Sequence, residues 1–235
     1  MESHFLHRTR FVADGFVLVV ALLPYVASHA AGQQDADALV QELSGLPAEL
    51  YTGPMSFLCP PHPSPCSPPP LPPAEAKRQR IEDQLHGLGG DGVLALARGL
   101  GNADVSVRRN SALMLMVLSE DLGSSNPGAT KIDTSAALSA LITTLDDPDF
   151  RARELAAQAI GDIGAYAAPA VPALVKMLTI EDEGLRNSAC IGLRGIGPPA
   201  SGALPALTRA LSDPSKDVRQ FATFAIASIE GRLSQ

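Results

Sequence analysis

Apolar residues in the second half of the chain recur at helical spacing. Ala152, Ala156, Ala159, Ile160 and Ile163 fall on one face of a helix. A Gly- and Pro-containing turn follows from Gly164 to Pro169, and Val171, Leu174, Val175 and Leu178 then take up the spacing again. Each stretch is too short to bury its apolar face alone, so the pattern predicts paired helices packed on neighbouring pairs. Pro172 and Pro205 lie in the first turn of a second helix, where the missing N–H costs little. The links Leu145-Asp-Asp-Pro148 and Leu211-Ser-Asp-Pro214 join one pair to the next. In them Asp147 and Asp213 are expected to cap the following helix.

The pairs repeat with a step of 33 residues. That step joins Ala170-Val171-Pro172-Ala173-Leu174 to Ala203-Leu204-Pro205-Ala206-Leu207, and backwards to Ala137-Leu138-Ser139-Ala140-Leu141. It also joins Leu145, Leu178 and Leu211; Arg153, Arg186 and Arg219; Ala156, Ala189 and Ala222; Ile160, Leu193 and Ile226; and Ile163, Ile196 and Ile229. A fixed period of this length is the signature of a stacked repeat array. Leu100 and Arg108 extend it upstream, with Val93–Leu96 as an earlier second helix. Glu75 to Leu88 supplies a diverged first helix, ended by Gly87, Gly89 and Gly90. Arg108 and Arg153 are 45 residues apart, so about twelve extra residues lie within 119–133. Glu120, Asp121 and Asp133 suggest a cation site there, but Ser, Gly, Asn and Pro dominate the segment and nothing fixes ligand geometry, so it reads as a surface loop. The last unit has a first helix only.

The run Leu211-Ser-Asp-Pro-Ser-Lys-Asp-Val-Arg219, followed by Ala222, Ala225-Ile226 and Ile229, resembles the HEAT repeat. It is similar to the short subtype shared with phycobilisome-lyase-type repeat proteins. The resemblance covers roughly residues 91–230. It implies an all-α fold, a right-handed α-solenoid of about four HEAT-like helix pairs, with first helices convex and second helices concave. It also implies a structural role for the column Arg108, Arg153, Arg186 and Arg219: bonding Asp and backbone groups of neighbouring repeats, with Asp147, Asp149, Asp182 and Asp213 nearby. The fold class says little about function, since such scaffolds host many unrelated activities.

The first half is different. Arg8 and Arg10 precede an eleven-residue apolar run, Phe16–Val26, too short to span a bilayer comfortably, and Ser28-His29-Ala30 offers a cleavage site. Residues 1–30 therefore read as an export signal, with an uncleaved membrane anchor as the alternative. Without stable membrane insertion the product is periplasmic or secreted. Residues 31–52 hold one helical segment, with Asp35, Ala36, Leu39, Val40 and Leu43 at helical spacing before Gly45 and Pro47. Residues 53–73 carry ten of the twenty prolines and form an extended linker. Residues 74–235 make the repeat domain. Cys59 and Cys66 fit a local disulfide in an exported chain. The other readings are free thiols, or a site with His62 that falls short of zinc's usual four ligands. Cys190 sits on an apolar helix face and reads as a small core residue.

Composition narrows the function. The net charge is −7, aromatics are 4% and Trp is absent, which argues against a nucleic-acid binder. No nucleotide-loop, metalloprotease, hydrolase or EF-hand motif occurs, and no catalytic constellation or cofactor site emerges. Two sets of binding candidates remain. Arg98, Lys176 and Arg209, with Thr143, share a column that points away from the core, a basic stripe suited to an acidic partner. The competing reading is a cation favoured near a helix C-terminus. Phe221 and Phe224 stand on the last helix, where a missing cover would invite a second copy of the chain or another partner. The expectation is an exported, non-catalytic protein-binding scaffold. The alternative is a chromophore-lyase-like enzyme or chaperone of the same subtype.

Overall fold

The computed structural model describes residues 32–47, 73–123 and 135–232. The export segment, the proline-rich stretch with Cys59 and Cys66, and residues 124–133 of the insertion lie outside the described residues. Ten α-helices are found among the described residues: α1 (32–41), α2 (Pro73–Gly87), α3 (Gly90–Gly99), α4 (Val105–Gly123), α5 (Ser135–Thr144), α6 (Phe150–Ile163), α7 (Val171–Met177), α8 (Glu183–Ile196), α9 (Leu204–Ala210) and α10 (Lys216–Ile229). The pairs α2/α3, α4/α5, α6/α7 and α8/α9 stack in order, and α10 follows the last. The fold is an all-α solenoid.

The helices form where the columns place them. Ala152, Ala156, Ala159, Ile160 and Ile163 of α6 are all buried, as are Leu185, Ala189, Leu193 and Ile196 of α8. Burying such a Leu or Ile stabilises by about 1.5–3 kcal/mol. Both α6 and α8 end on glycines at positive φ, Gly164 at 72° and Gly197 at 70°, a backbone that side chains with a Cβ avoid. Short 3₁₀ segments, Gly164–Ala170 and Pro198–Ala203, then lead into α7 and α9.

The caps differ from expectation. Asp149, Asp182 and Ser215 are the N-cap residues of α6, α8 and α10, accepting from Ala152, Leu185 and Val218 N–H at 2.8, 3.0 and 3.4 Å. Asp147 and Asp213 lie two residues earlier. They accept the N–H of Asp149 and Ser215, each at 2.8 Å. They therefore fold the turn, and their carboxylates stay available to side chains.

The long helices α4, α6, α8 and α10 form one layer, and the short helices α3, α5, α7 and α9 the other. The long helices approach one another much more closely than the short ones do. At the α6/α8 seam the backbones meet: a Cβ on Gly161 would stand 3.1 Å from the Gly192 Cα, and one on Gly195 would stand 2.6 Å from the Gly161 Cα. In a two-layer stack the more closely spaced layer is the inside of the curve. The first, long helices are therefore concave and the short ones convex, the reverse of what the resemblance implied.

At the other end, α1 closes the stack. Its Ala36 and Val40, with Leu43 and Leu46 of the following turn, belong to the same hydrophobic core as the repeats. Asn110 is fully buried in α4 and donates to the carbonyls of Leu43 and Leu46 at 3.3 and 3.2 Å. Arg78 donates to the Pro47 carbonyl. Among the described residues no helix is long and apolar enough to cross a membrane.

Gly195→Ala should lower stability by about 1–3 kcal/mol, because the added methyl overpacks the α6/α8 seam. Gly87→Ala, where nothing lies within 4 Å of the new carbon, should change it by less than about 0.5 kcal/mol. Urea unfolding followed by circular dichroism checks both.

Candidate functional site: the inter-repeat ladder and the concave layer

Three of the four column arginines make the same local contact. Each donates Nη1 to two carbonyls of the loop before its own helix. Arg108 reaches Asn102 and Ala103 at 2.9 and 3.1 Å, Arg186 reaches Ile180 and Glu181 at 2.9 and 2.6 Å, and Arg219 reaches Asp213 and Pro214 at 2.7 and 2.9 Å. Two of them also fork onto a carboxylate of the next repeat. Arg108 donates Nε and Nη2 to Asp147 at 2.8 and 3.2 Å, and Arg186 donates to Asp213 at 2.8 and 2.9 Å. The Arg186 and Asp213 side chains are 11% and 10% exposed, so this pair is largely withdrawn from water. Arg153 is the exception. Its Nε is buried with no hydrogen-bond partner among the described residues. The step of 33 explains it: Asp147 and Asp213 are two columns of one series, and the position between them is Ile180.

A second fork was not read from the sequence. Arg109 donates Nε and Nη2 to Asp149 at 2.8 and 2.5 Å, tying α4 to the cap of α6. The hydrogen bonds from Arg109 hold the Asp149 carboxyl below its ordinary 3.8, and those from Arg186 do the same for Asp213. The signal was the second Arg of Arg108-Arg109. Its counterparts Glu154 and Asn187 carry no such charge, so no column marked it.

The residues of the predicted basic column keep equivalent places along the stack. Arg98, Lys176 and Arg209 stand on α3, α7 and α9, in the short, convex layer. Arg98 is held by Asp37 of α1, at 3.0 and 2.6 Å. Lys176 reaches Asp146 at 2.8 Å in a pair that is 68% and 74% exposed, and such pairs contribute little. Thr143 bonds the Ser139 carbonyl at 3.1 Å. Among the described residues Arg209 makes only a long bond to the Pro205 carbonyl, 3.4 Å. Phe221 is half-buried against the core, while Phe224 is 37% exposed. Cys190 is fully buried, and burial pushes its thiol up to about 12, which suits an inert core residue.

The concave layer presents its own columns. On α6, α8 and α10 the positions facing away from the short helices are Glu154, Asn187 and Gln220, then Gln158, Ile191 and Phe224. Glu154 is paired with Arg151 at 2.6 Å. The second column carries no charge. Among the described residues no three His, Cys, Asp or Glu side chains converge as a metal site. An open groove of about 420 Å³ lies between α1 and α2, lined by Asp35, Ala38, Leu39, Glu42, Gln84 and Leu88.

Comparison with known proteins agrees with this geometry. The family profile described as HEAT repeats matches residues 93–194 and 137–227, together more than half of the chain. No curated protein sequence matches significantly. Among solved structures, a designed armadillo repeat protein in complex with the peptide (KR)4 is 21% identical, with a TM-score of 0.53 over 66% of this chain and 72% of that one. Computationally designed armadillo repeat proteins for modular peptide recognition are 23% identical, with a TM-score of 0.52 over 66% and 74%. The complex of CpcE and CpcF of phycocyanin lyase from Nostoc sp. PCC7120 is 23% identical, with a TM-score of 0.50 over 76% and 71%. At these identities the likeness is one of fold.

Arg186→Ala should cost about 3 kcal/mol, since it leaves the Asp213 carboxylate buried and unpaired. Arg153→Ala removes no carboxylate fork and should cost under about 1 kcal/mol, mostly lost stem packing. Chemical denaturation of both variants checks the difference. Asp149 and Asp213 are depressed in the folded state. Each therefore contributes stability that is complete above the ordinary carboxylate range and is lost as pH falls through the depressed value. The thermal midpoint should hold down to about pH 5 and drop below about pH 4, with a shallower acid limb in Asp149→Asn and Asp213→Asn.

Proposed function

Since the chain belongs to the HEAT-repeat family, we propose that it is an exported, non-catalytic scaffold that holds a protein partner along its concave layer. The observation that carries this reading is the pair of concave columns, Glu154/Asn187/Gln220 and Gln158/Ile191/Phe224, repeated at the 33-residue step. On α8 and α10 this surface sets an amide beside an apolar side chain, Asn187 with Ile191 and Gln220 with Phe224, which suits an extended polypeptide lying across successive repeats. Export is supported by the basic, apolar and small-residue pattern of residues 1–30. The non-catalytic reading is supported by concave columns in which amide and apolar side chains outnumber the single carboxylate, Glu154. Structural neighbours of the same architecture are described as recognising peptides or as two subunits in complex, and a partner along the stack is in keeping with them.

The convex cations play a lesser part, because two of the three are neutralised within the chain. The test is affinity capture by the tagged full chain from the extract of the compartment to which it is exported, with the mature N-terminus sequenced in the same sample. Ile191→Arg combined with Phe224→Arg should reduce recovery of the main captured protein at least about tenfold. Lys176→Glu combined with Arg209→Glu should leave it unchanged. The opposite outcome would move the partner to the convex side.

A further inference from the structure

The arginine ladder has an open end. At its filled rungs a column arginine holds an aspartate from the turn ahead of the next long helix. Arg108 takes Asp147 and Arg186 takes Asp213, each with Nε 2.8 Å from a carboxylate oxygen. Between them Ile180 breaks the ladder. Arg219 is the last member of the column, and its Nη1 is fixed as in the filled rungs, on the carbonyls of Asp213 and Pro214 at 2.7 and 2.9 Å. Nε and Nη2, the edge that forks onto aspartate in Arg108 and Arg186, meet no acceptor among the described residues. This edge is not shut in: the Nε of Arg153 is buried without a partner, and that of Arg219 is not. Among the described residues no element follows α10, so no side chain, acidic or apolar, takes the aspartate's place.

Two further residues share the opening. Leu145 and Leu178 are 4% and 8% exposed, whereas their counterpart Leu211, with no repeat after it among the described residues, is 40% exposed. Lys216, one turn before Arg219, is exposed. It stands in the column of Phe150, whose ring lies towards α8, 3.6 Å from where a Cβ on Gly184 would be. On α10 that direction looks past the end of the stack. Asp217 stands instead in the column of Gly184, the side that faces the preceding long helix. The end therefore presents a preset guanidinium edge, a second cation and an uncovered leucine.

We propose that the α9/α10 end of the stack is a docking surface for a partner polypeptide that presents an aspartate beside an apolar side chain. The aspartate would take the Arg219 fork, the apolar side chain would cover Leu211, and Lys216 would complement the acidic charge. The ladder itself selects this occupant. Its filled rungs take carboxylates in the bidentate arrangement that guanidinium groups favour, and each aspartate comes from a turn of the form Leu-x-Asp, Leu145 to Asp147 and Leu211 to Asp213. Exposed Arg209 lacks this preparation, having only its long bond to the Pro205 carbonyl. A second copy does not offer the ligand. Its first turn has Asn102 at the position of Asp147, with Oδ1 already accepting the Asp104 N–H at 2.9 Å, and α1 closes that end. The surface goes beyond the concave reading and shares no residue with it.

The probe is the peptide Leu-Asp-Asp-Pro-Asp-Phe, the sequence that fills the Arg108 rung, with Leu-Asn-Asn-Pro-Asn-Phe as the neutral comparison. Each is titrated into the full chain at low salt, where exposed charges are least screened. The arginine Nε–Hε resonances and the backbone amides of Leu211 and Lys216 are followed. The acidic peptide should shift the Arg219 Nε–Hε signal saturably and leave those of Arg108 and Arg186 in place, and the neutral peptide should shift none. Arg219→Ala should weaken binding, read at the amides, at least about tenfold. Arg219→Lys keeps the charge and loses the fork, so its binding should fall between the two, and Arg209→Ala should bind as wild type does. If Arg219→Ala does not fold, Arg219→Lys and Leu211→Ser carry the test, and each should bind more weakly than wild type. Equal binding of the two peptides, no binding by wild type, or undiminished binding by the Arg219 variants overturns the proposal. Sedimentation of the full chain checks the occupant: a dimer that Arg219→Lys dissociates would make it a second copy and overturn the assignment to another protein. The concave capture is read separately, through Ile191 and Phe224, so either reading can fail while the other stands.

Discussion

The distance between α6 and α8 constrains the rest of the solenoid. Their backbones touch through Gly161, Gly192 and Gly195, so the two helices stand as close as the main chain allows. Helices that meet through small residues gain dispersion contacts along their whole length, and those contacts vanish if the helices separate by a fraction of an ångström. The short helices cannot come equally near. Two of them, α7 and α9, are preceded by a 3₁₀ segment of seven or six residues, which adds bulk to the outer layer. One close-packed layer against one spread layer bends the stack, and the bend sets which side chains converge on the concave face and which fan apart on the convex one.

Against that frame of close helices, the arginine forks add register more than bulk stability. A buried ion pair repays its desolvation only when both partners are fully bonded, and the two filled rungs satisfy this. Asp213 accepts from Arg186 through Nε and Nη2 and from the Ser215 N–H, while Arg219 holds its carbonyl. One aspartate therefore joins three things: the preceding repeat, its own turn and the following helix. An apolar residue of the same volume would fill the space without specifying any of these directions. The low protonation tendency of Asp213 and Asp149 is the electrostatic expression of that bonding.

Much of the fold was legible in the sequence because a repeat states its own alignment. The columns Ala156/Ala189/Ala222 and Ile160/Leu193/Ile226 identified the buried faces without any structural information, and the arginine column stood out because it never varied. What periodicity cannot show is distance. Both helices of a pair are amphipathic, so the pattern says that each has a buried face and not which layer is inner. The clue was present in Gly161, Gly192 and Gly195, but these glycines face each other across a seam and do not share a column, so the 33-residue comparison passed over them. Pairing was similarly hidden. Asp37 lies 61 residues before Arg98 and Asp146 lies 30 before Lys176, so the stripe seemed unopposed when its partners were on other elements. The caps were misplaced for a simpler reason: an aspartate that folds the turn and one that caps the helix lie two residues apart and offer the same carboxylate.

The glycine seam and the broken rung then turn out to be the same place. Among the described residues, glycine meets glycine only between α6 and α8, and it is at this seam that Ile180 replaces the ladder aspartate. The seams on either side, α4/α6 and α8/α10, lack such contact and keep their forks through Asp147 and Asp213. Two ways of fixing register therefore alternate along the stack. Where backbones interlock, sterics alone hold one helix against the next, and a polar fork adds little. At the seams without paired glycines, of which α4/α6 is packed about as closely, the fork adds the direction. A rung released from its structural task can lose its carboxylate at small cost in stability, and the Nε of the Arg153 that remains has no hydrogen-bond partner among the described residues. The middle of the array can thus give up a structural contact without loosening.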